Sequence, residues 1–516
     1  MSGQGQASQE EGANATQRWA LIALGTLLLC MGVSGASLWI DEGFSAKLAT
    51  QPSLSSWASA LEAIHGSEPQ MPGYHLYLWG WGRLFGASEW AMRLANVPWA
   101  ALFAASLAWG AEFVLKIRRA WLIVCLSPFV WFYMNEARPY AMVMGLAMVA
   151  IVALLAYTRD PQRFRLASWS VMVSLLALWF AHMLAITLVV SLLVLFYMLR
   201  PVSVTIKNYI RPWFRPVLIT LPFYFSLALY YMHTLLSKKG GMIEKPGLPN
   251  LIFATYEFLG FGGLGPPRNV LRQHPSYHTL TPYLLTLMLG VVALGIVTSA
   301  ILLRLRHSYE RRTVLALSLA LMAGTLLTFA LSYAAHFRLL GRHLAVFFAL
   351  LALILLAGLL SDGDQHRPKL VFTALLLLGI AWSVSDLRQR LLPSYQKDDY
   401  RDAASLAQNA LVRGEPVLWL ADESTAKYYG LQITQENTVP AFPMQAAFGH
   451  CSPEWLQHSL QDRGAVLVVM NDREDVYDPG GVCRKTVDYL NSEHVASFAN
   501  FDAWQVTAAK SESLLF

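Results

Sequence analysis

Long apolar runs recur along most of this 516-residue chain, and they constrain its fold more than any other feature. They lie at 19–40, 90–115, 121–135, 140–157, 166–181, 183–199, 217–235, 281–303, 313–335, 343–360 and 370–386. A helix of about 20 apolar residues crosses the hydrocarbon core of a bilayer, so the pattern predicts about eleven transmembrane helices. Only 14% of the residues are charged, against roughly 25% in ordinary globular chains. We therefore predict a polytopic α-helical membrane protein.

The basic residues between these runs fall in alternate loops. They are Lys116, Arg118, Arg119, Arg159, Arg163, Arg165, Arg200, Lys207, Arg211, Arg215, Arg304, Arg306, Arg311, Arg312, Arg367 and Lys369. The positive-inside rule makes those loops and the N-terminus cytoplasmic. The loops 41–89, 136–139, 236–280 and 336–342 then face the other side, as does the C-terminal region. This assignment requires a tight hairpin at His182. A single helix over 166–199 would instead place every later loop on the opposite side of the membrane.

The two ends of the chain differ from the apolar region. Residues 1–18 are polar and are predicted to be a disordered cytoplasmic segment, followed by a transmembrane catalytic domain at 19–390. Residues 391–516 combine a helical pattern at 402–413 with short apolar runs at 416–420 and 465–470. Alternating helix and strand patterns predict a small α/β domain, which the charge pattern makes extracytoplasmic.

Four cysteines divide between the two regions. Cys30 and Cys125 lie in apolar runs and are interpreted as packing residues. Cys451 and Cys483 lie in the C-terminal domain, where an extracytoplasmic location would permit a disulfide between them. Two unpaired thiols are the alternative.

Asp41 and Glu42 directly follow the first apolar run. Carboxylates at a membrane boundary are costly unless they face water, a cation or a reacting group. A carboxylate that faces water there can act as a general base and take a proton from an acceptor hydroxyl. The alternative is an acidic pair that ends a helix and only prefers water.

Three further residues lie at predicted outer boundaries. Glu68 precedes a Pro/Gly-rich turn that can fix a carboxylate for metal binding, or that is an ordinary loop. Arg138 can hold a phosphate through its guanidinium fork, or it can pair with Glu136 inside the short loop. His182 can ligate a divalent metal or bind phosphate, or it can be structural.

Arg338 and Arg342 form a second basic boundary, beside His336 and His343. They can hold an anionic head group, or they can extend to the membrane surface without a ligand. The glycines of the loop 236–280, at 240–241, 260 and 262–263, suggest a mobile lid, although a plain connector fits equally well. The net charge of +6 is explained by cytoplasmic loops, and no clustered basic face favours nucleic acid.

At these positions the chain resembles the GT-C superfamily of integral-membrane glycosyltransferases. It is most similar to the polyprenyl-phosphate-sugar branch, which includes protein O-mannosyltransferases and lipid A aminoarabinose transferases. The resemblance covers about residues 19–390. The residues that carry it are Asp41-Glu42, the run Glu68 to Tyr74, Leu84-Phe85-Gly86, Arg93-Leu94, Glu136 to Tyr140, and Arg338 with Arg342.

The resemblance implies an inverting transfer of a sugar from a polyprenyl-phosphate donor to an acceptor hydroxyl on the extracytoplasmic face. It makes Asp41 the general base, with Glu42 supporting it. Arg138, Arg338 and Arg342 would hold the donor phosphate. Glu68, with His182 as a co-ligand, would bind a divalent ion such as Mg, Mn or Zn. In one departure, Pro69-Gln70-Met71-Pro72 replaces the usual Lys/His-Pro-Pro pattern after the acid.

Two other function classes remain open. A transporter or flippase for a lipid-linked saccharide would also place charges at span ends, but it would be expected to show internal repeats and ionisable residues near the bilayer midplane. A non-catalytic assembly scaffold would use the C-terminal domain as a binding module. For the enzyme, we expect a glycan, lipid or protein acceptor and a bacterial inner (plasma) membrane location, with the C-terminal domain periplasmic.

Overall fold

The structure is a computed structural model. It describes residues 2–64, 67–117, 119–237, 245–273, 276–306, 308, 310–360, 368–435, 446–448, 453–478 and 480–507. The chain divides into two compact units. The helical unit comprises Met1–Ser34, Gln51–Gly265 and Leu280–Leu387, and the second unit comprises Gly35–Thr50, Pro266–Thr279 and Arg388–Phe516. The last of these divisions, between Leu387 and Arg388, lies near the predicted domain boundary at 390–391, which stays a prediction.

Most of the helical unit is α-helix, as the apolar runs predict. Its α-helices are Ser2–Cys30, Leu54–Ala63, Pro72–Phe85, Glu89–Leu94, Val97–Trp109, Pro128–Met134, Tyr140–Arg159, Ala167–Ala181, Leu188–Met198, Ile206–Ile210, Phe214–Leu236, Leu248–Phe258, Leu284–Leu305, Arg311–Ala335, Phe348–Leu360 and Pro368–Leu391. Shorter 3₁₀ or π segments are Glu68–Gln70, Gly110–Val114, Ala120–Leu126, Met183–Thr187, Arg211–Trp213, Tyr277–Tyr283 and Gly341–Phe347.

Seven helical stretches among the described residues are long and apolar enough to cross a membrane. They are Glu89–Val114, Tyr140–Arg159, Ile206–Leu236, Tyr277–Leu305, Arg311–Ala335, Gly341–Leu360 and Pro368–Leu391. Three shorter apolar helices are Ala15–Cys30, Ala167–Ala181 and Met183–Met198. The prediction of a polytopic membrane protein is confirmed, and ten of the eleven predicted runs overlap one of these helices.

Two of the predicted spans differ from the structure. The run 121–135 is a 3₁₀ segment, Ala120–Leu126, followed by the seven-residue helix Pro128–Met134. A proline disfavours helical geometry in the residue before it, and Ser127 is accordingly extended at ψ 123°. The first run, 19–40, is helical only to Cys30, because the Gly- and Ser-containing stretch 32–37 interrupts it.

The first helix of the structure runs from Ser2 to Cys30. The assignment of residues 1–18 to a disordered cytoplasmic segment stays a prediction. Ala7, Glu10, Glu11 and Ala13 have high helix propensity and continue the apolar helix toward the N-terminus.

The predicted cytoplasmic loops meet one another within the helical unit. Arg159 forms an ion pair of 2.7 Å with Glu310, and Arg312 donates to the carbonyl of Met198 at 2.8 Å. At the other ends of the helices, Tyr230 donates to the carbonyl of Pro69 at 2.9 Å. Loops that the charge pattern assigns to one side are therefore brought together at one end of the helices. Which end is cytoplasmic stays a prediction.

The hairpin at His182 is confirmed by contacts on both sides of it. The helix Ala167–Ala181 ends at His182, whose backbone is extended at φ −158°. Ser168 donates to the carbonyl of Pro212 at 3.1 Å, whereas Tyr231 donates to the carbonyl of Trp179 at 2.5 Å. Beyond the turn, Met198 returns to the end that holds Arg312. The chain therefore reverses direction at His182, and the later helices run in the directions that the charge pattern predicts.

The second unit contains a mixed six-stranded sheet. Its strands are β1 (Val417–Leu420), β2 (Ile433–Gln435), β3 (Ala446–Phe448), β4 (Ala465–Asn471), β5 (Asn491–Phe498) and β6 (Phe501–Thr507). Their order is β2-β3-β1-β4-β6-β5. Strands β2, β3, β1 and β4 are parallel, and β6 and β5 are antiparallel additions at one side. The α/β prediction, including strands at 416–420 and 465–470, is confirmed.

Alternating side chains of β1 and β4 face opposite sides of this sheet, so both faces need cover. Trp419 and Val469 pack with the helix Tyr400–Val412 on one face. Leu418 and Val468 pack with the helices Pro453–Arg463 and Val482–Tyr489 on the other. The remaining helices of this unit are Ile40–Ala49, Arg268–Gln273, Glu423–Tyr428 and Glu474–Tyr477, with a 3₁₀ turn at Pro393–Tyr395.

Candidate functional site

A buried ion pair joins two of the predicted site residues in the helical unit. Arg138 Nη1 lies 3.1 Å from Glu68 Oε1, and both side chains are almost completely buried. Arg138 Nη2 also lies 3.7 Å from the sulfur of Met71. Loss of solvation makes such a pair costly unless its hydrogen bonds are well made, so it is weak evidence for stability alone. The pair fixes the guanidinium beside the start of the helix Pro72–Phe85.

His75 lies one turn into that same helix and is fully buried. Among the residues that the structure describes, neither of its ring nitrogens has a hydrogen-bond partner. Burial lowers the pKa of His75 well below its usual value, and the charge of Arg138 and the proximity of His182 lower it further. The ring is therefore neutral at physiological pH, with one N–H donor and one lone pair.

His182 is neutral as well, and its hydrogen bond fixes the position of its proton. The backbone N–H of Leu184 donates to Nδ1 at 3.1 Å. Burial, Arg138 and Arg342 lower the pKa of His182 to about 3. Because Nδ1 accepts a hydrogen bond, the neutral ring carries its proton on Nε2. His182 is thus an N–H donor at Nε2.

Arg342 lies in the segment 338–343 of the helical unit, and Glu257, from a different helix, binds the backbone of this segment. The N–H of Gly341 donates to Glu257 Oε2 at 2.9 Å, and the N–H of Leu340 donates to His343 Nδ1 at 3.1 Å. Arg338 and Arg342 are both half-buried. Arg342 lies close enough to His182 to lower its pKa. Glu68, Arg138, His182 and Arg342, with His75, therefore form one cluster, which we call the basic cluster.

Asp41 and Glu42 belong to the second unit. They lie in the first turn of the helix Ile40–Ala49, where the helix dipole favours negative charge. Asp41 is half-buried, and Glu42 is fully buried with Lys397 Nζ at 4.0 Å from its Oε2. Lys397 also lies 6.0 Å from the ring centre of Trp39. The two acids thus start a separate helix, so the alternative interpretation, an acidic pair that ends a helix, does not describe them.

The C-terminal part of the second unit holds this short helix in place. The N–H of Leu38 donates to the Tyr429 hydroxyl at 2.7 Å, and Arg401 Nη2 donates to the carbonyl of Gly35 at 2.6 Å. Gly43 packs directly against Thr425 of the helix Glu423–Tyr428. The position of Asp41 therefore depends on contacts with residues nearly 400 positions later in the chain.

Gly43→Ala tests this dependence. An added Cβ would lie 2.9 Å from the Thr425 Cα, a backbone atom that cannot move aside without displacing its helix. We expect a loss of about 1–3 kcal/mol in the free energy of unfolding, together with lower activity, measured by thermal unfolding and by turnover. Gly80→Ala is the matched control, because no atom lies within 4 Å of its added Cβ. Equal behaviour of the two variants would contradict the packing role of Gly43.

The metal role predicted for Glu68 and His182 does not fit the donors that are present. The Glu68 carboxylate is engaged by Arg138, and His182 presents an N–H rather than a lone pair at Nε2. Throughout the described part of the chain, no three His, Cys, Asp or Glu side chains are grouped as metal ligands. Structural and catalytic metal sites usually supply three or more such ligands. We therefore assign no step to a metal ion.

Cys483 is disulfide-bonded in the second unit, whereas Cys30 and Cys125 are free thiols. The predicted partner, Cys451, lies outside the described residues, so the pairing stays a prediction. The glycines at 240 and 241 of the predicted lid also lie outside them.

The structure brings the predicted residues into two groups. Glu68, Arg138, His182 and Arg342 meet in the helical unit, with Arg338 at the same boundary as Arg342, while Asp41 and Glu42 lie in the second unit. Arg138 pairs with Glu68, a partner that the sequence left open. His75 was missed as a site residue. The sequence signal for His75 was its position seven residues after Glu68, in the first turn of a helix that begins at a proline.

Comparison with known proteins identifies the fold. No family model matches the sequence, and no curated protein sequence matches it either. Among solved structures, ArnT from Cupriavidus metallidurans in the apo state matches with a TM-score of 0.53 and 12% identity, over 97% of this chain and 100% of that one. The chain thus has the fold of ArnT.

Two further solved structures were found at lower similarity. ArnT from the same organism, bound to undecaprenyl phosphate, has a TM-score of 0.48 and 11% identity, over 96% of this chain and 98% of that one. The mycobacterial arabinofuranosyltransferase AftD, in an R1389S mutant, has a TM-score of 0.40 and 15% identity, over 96% of this chain and 42% of that one.

Proposed function

We propose that this protein is a glycosyltransferase that moves a sugar from a polyprenyl-phosphate donor to an acceptor hydroxyl at the extracytoplasmic membrane face. The observation that carries the proposal is the basic cluster, in which Arg138 pairs with the buried Glu68 carboxylate and lies, like Arg342, close enough to a neutral histidine to lower its pKa. Guanidinium groups and N–H donors suit a phosphate. The fold, shared with a lipid A aminoarabinose transferase, supports the same class of reaction.

A lipid-linked donor follows from the predicted orientation. Nucleotide sugars are made in the cytoplasm and carry too much charge to cross a bilayer. An active site on the outer face therefore needs a sugar that is attached to a lipid. A donor dissolved in the membrane also gives a reason for a glycosyltransferase to have many membrane-spanning helices.

The proposed transfer inverts the configuration at the anomeric carbon. The acceptor oxygen forms a bond to that carbon as the bond to the phosphate oxygen breaks, and polyprenyl phosphate leaves with the bonding electrons. Asp41 takes the proton from the acceptor hydroxyl, and Glu42 supports it. Arg138, Arg338 and Arg342 bind the phosphate, where negative charge grows as the bond breaks.

Transfer from a lipid donor is tested with the purified protein in detergent. We would supply radiolabelled polyprenyl-phosphate sugars or nucleotide sugars, with an envelope extract as the acceptor, and measure label on the acceptor fraction. The proposal expects label from a polyprenyl-phosphate sugar and none from a nucleotide sugar. Movement of intact donor between leaflets of proteoliposomes, without transfer, would instead establish a flippase.

Metal dependence is tested separately by chelation. The resemblance implies a divalent ion at Glu68 and His182, whereas the described donors favour a metal-independent site. We therefore expect dialysis against EDTA to leave turnover within about twofold of the untreated enzyme, since removing a catalytic metal costs several kcal/mol of transition-state stabilisation. Loss of turnover that is restored by Mg, Mn or Zn would establish the metal role and contradict our interpretation of these two residues.

A further inference from the structure

The His75 imidazole is the most unusual polar group in the basic cluster. Its side chain is completely buried, yet neither ring nitrogen has a hydrogen-bond partner among the described residues. Buried polar atoms are normally paired, and each unpaired one costs about 1–3 kcal/mol. A ring that only filled space here would be better replaced by an apolar one. The unpaired ring of His75 therefore lowers the stability of the fold, and a ligand that hydrogen-bonds to the ring would remove this destabilisation.

The backbone just before His75 packs closely against the segment that leads to His182. Gly73, two residues earlier, packs against Phe180, and a Cβ there would lie 2.7 Å from the Phe180 carbonyl oxygen. Phe180 lies two residues before His182. The start of the helix Pro72–Phe85 is thus fixed against the His182 turn, and His75 lies in the interior beside it.

The charges around His75 favour an anion over a cation. The positive charge of Arg138 acts on both His75 and His182, and that of Arg342 acts on His182, while Glu68 forms an ion pair with Arg138. His182 adds an N–H donor at Nε2. Within the described residues, no side chain caps the N-terminus of the helix Pro72–Phe85, which begins three residues before His75. A group with several acceptor oxygens and a negative charge complements this set.

We propose that His75 is a phosphate-binding residue, which donates its ring N–H to an oxygen of the polyprenyl-phosphate group. This inference rests on the proposed function and adds a residue to the Arg138, Arg338 and Arg342 set. His182 and Arg342 are only half-buried, so they mark the side from which a phosphate reaches the buried His75.

The same contact favours departure of the leaving group. The phosphodiester of the donor carries one negative charge, and the phosphate monoester that leaves carries up to two. A fixed N–H donor that binds the more charged form more strongly stabilises the transition state as well as the product. His75 is expected to bind polyprenyl phosphate more strongly than the intact donor.

His75→Phe tests the assignment, since it keeps a ring of similar shape and removes both nitrogens. We would measure dissociation constants for polyprenyl phosphate, for polyprenol, which lacks the phosphate, and for inorganic phosphate. We expect polyprenyl phosphate to bind about 10- to 100-fold more weakly to the variant, as for a lost hydrogen bond to a charged group. His75→Gln, which keeps an amide N–H, should retain part of the affinity. His233→Phe, at an exposed histidine, is the matched control.

Thermal unfolding of the ligand-free protein separates this role from a structural one. Because His75→Phe removes two unpaired buried atoms, its unfolding temperature should equal or exceed that of the wild type. Unchanged affinity for polyprenyl phosphate would overturn the inference while leaving the proposed function intact. Inorganic phosphate binding as tightly as the lipid would overturn the lipid assignment. Failure of the wild type to bind either phosphate would overturn the proposed function as well.

Discussion

Asp41→Asn is expected to lower the turnover number by about 10²- to 10⁴-fold, the usual contribution of a general base. The amide has nearly the shape of the carboxylate but cannot accept the acceptor proton. Binding of the donor should change little, because the phosphate contacts lie on other residues. Turnover and donor affinity would be measured on the same preparations of wild type and variant.

Glu423→Gln is the matched control for this substitution. Glu423 also lies in the first turn of a short helix of the second unit, and its partner is the exposed Lys427. Removing its charge should leave turnover unchanged and stability nearly so, because exposed pairs contribute little. Turnover by Asp41→Asn within tenfold of the wild type would eliminate Asp41 as the base and move the assignment to Glu42 or to another group.

Arg138→Met should abolish transfer and destabilise the helical unit. The substitution leaves the Glu68 carboxylate buried without its ion pair, which typically costs about 3–5 kcal/mol in the free energy of unfolding. It also removes a guanidinium from the proposed phosphate site. We would measure unfolding in denaturant and affinity for polyprenyl phosphate.

The double variant Glu68→Leu with Arg138→Met separates the two effects. Replacing a whole buried ion pair by apolar side chains is often neutral or stabilising, so the double variant should recover most of the lost stability. It should not recover transfer or phosphate binding. Recovery of both would make the ion pair purely structural. Arg159→Met, which breaks a partly exposed pair with Glu310, is expected to cost only about 1 kcal/mol or less.

The helical architecture could be predicted from the sequence because membrane burial acts over long, local stretches. Apolar runs and alternating basic loops predicted the hairpin at His182, and the contacts of Ser168 and Tyr231 confirm it. The break in the helix at Ser127 also has a local cause, Pro128, but the run 121–135 is apolar throughout and was therefore predicted as one span. Hydropathy measures how easily a segment enters the bilayer, not whether its helix is continuous.

The candidate site was less predictable because its organisation depends on distant contacts. Nothing near Asp41 indicates that Tyr429 and Thr425 will hold its helix. Similarly, the buried ion pair of Arg138 with Glu68 joins two residues that lie far apart in the sequence. His75 carries no local signal that both its nitrogens will be buried without partners. Residue type and spacing identified most members of the basic cluster, whereas their pairing needed the fold.

Inverting transfer from a lipid donor is measured by the release of polyprenyl phosphate from the wild-type protein, together with the anomeric configuration of the new glycoside. A panel of polyprenyl-phosphate sugars would be incubated with an envelope extract as acceptor. We expect one polyprenyl phosphate to be released for each sugar transferred, with the configuration inverted relative to the donor. Donors that bind to the basic cluster yet remain intact with every acceptor fraction, or a product with retained configuration, would contradict it.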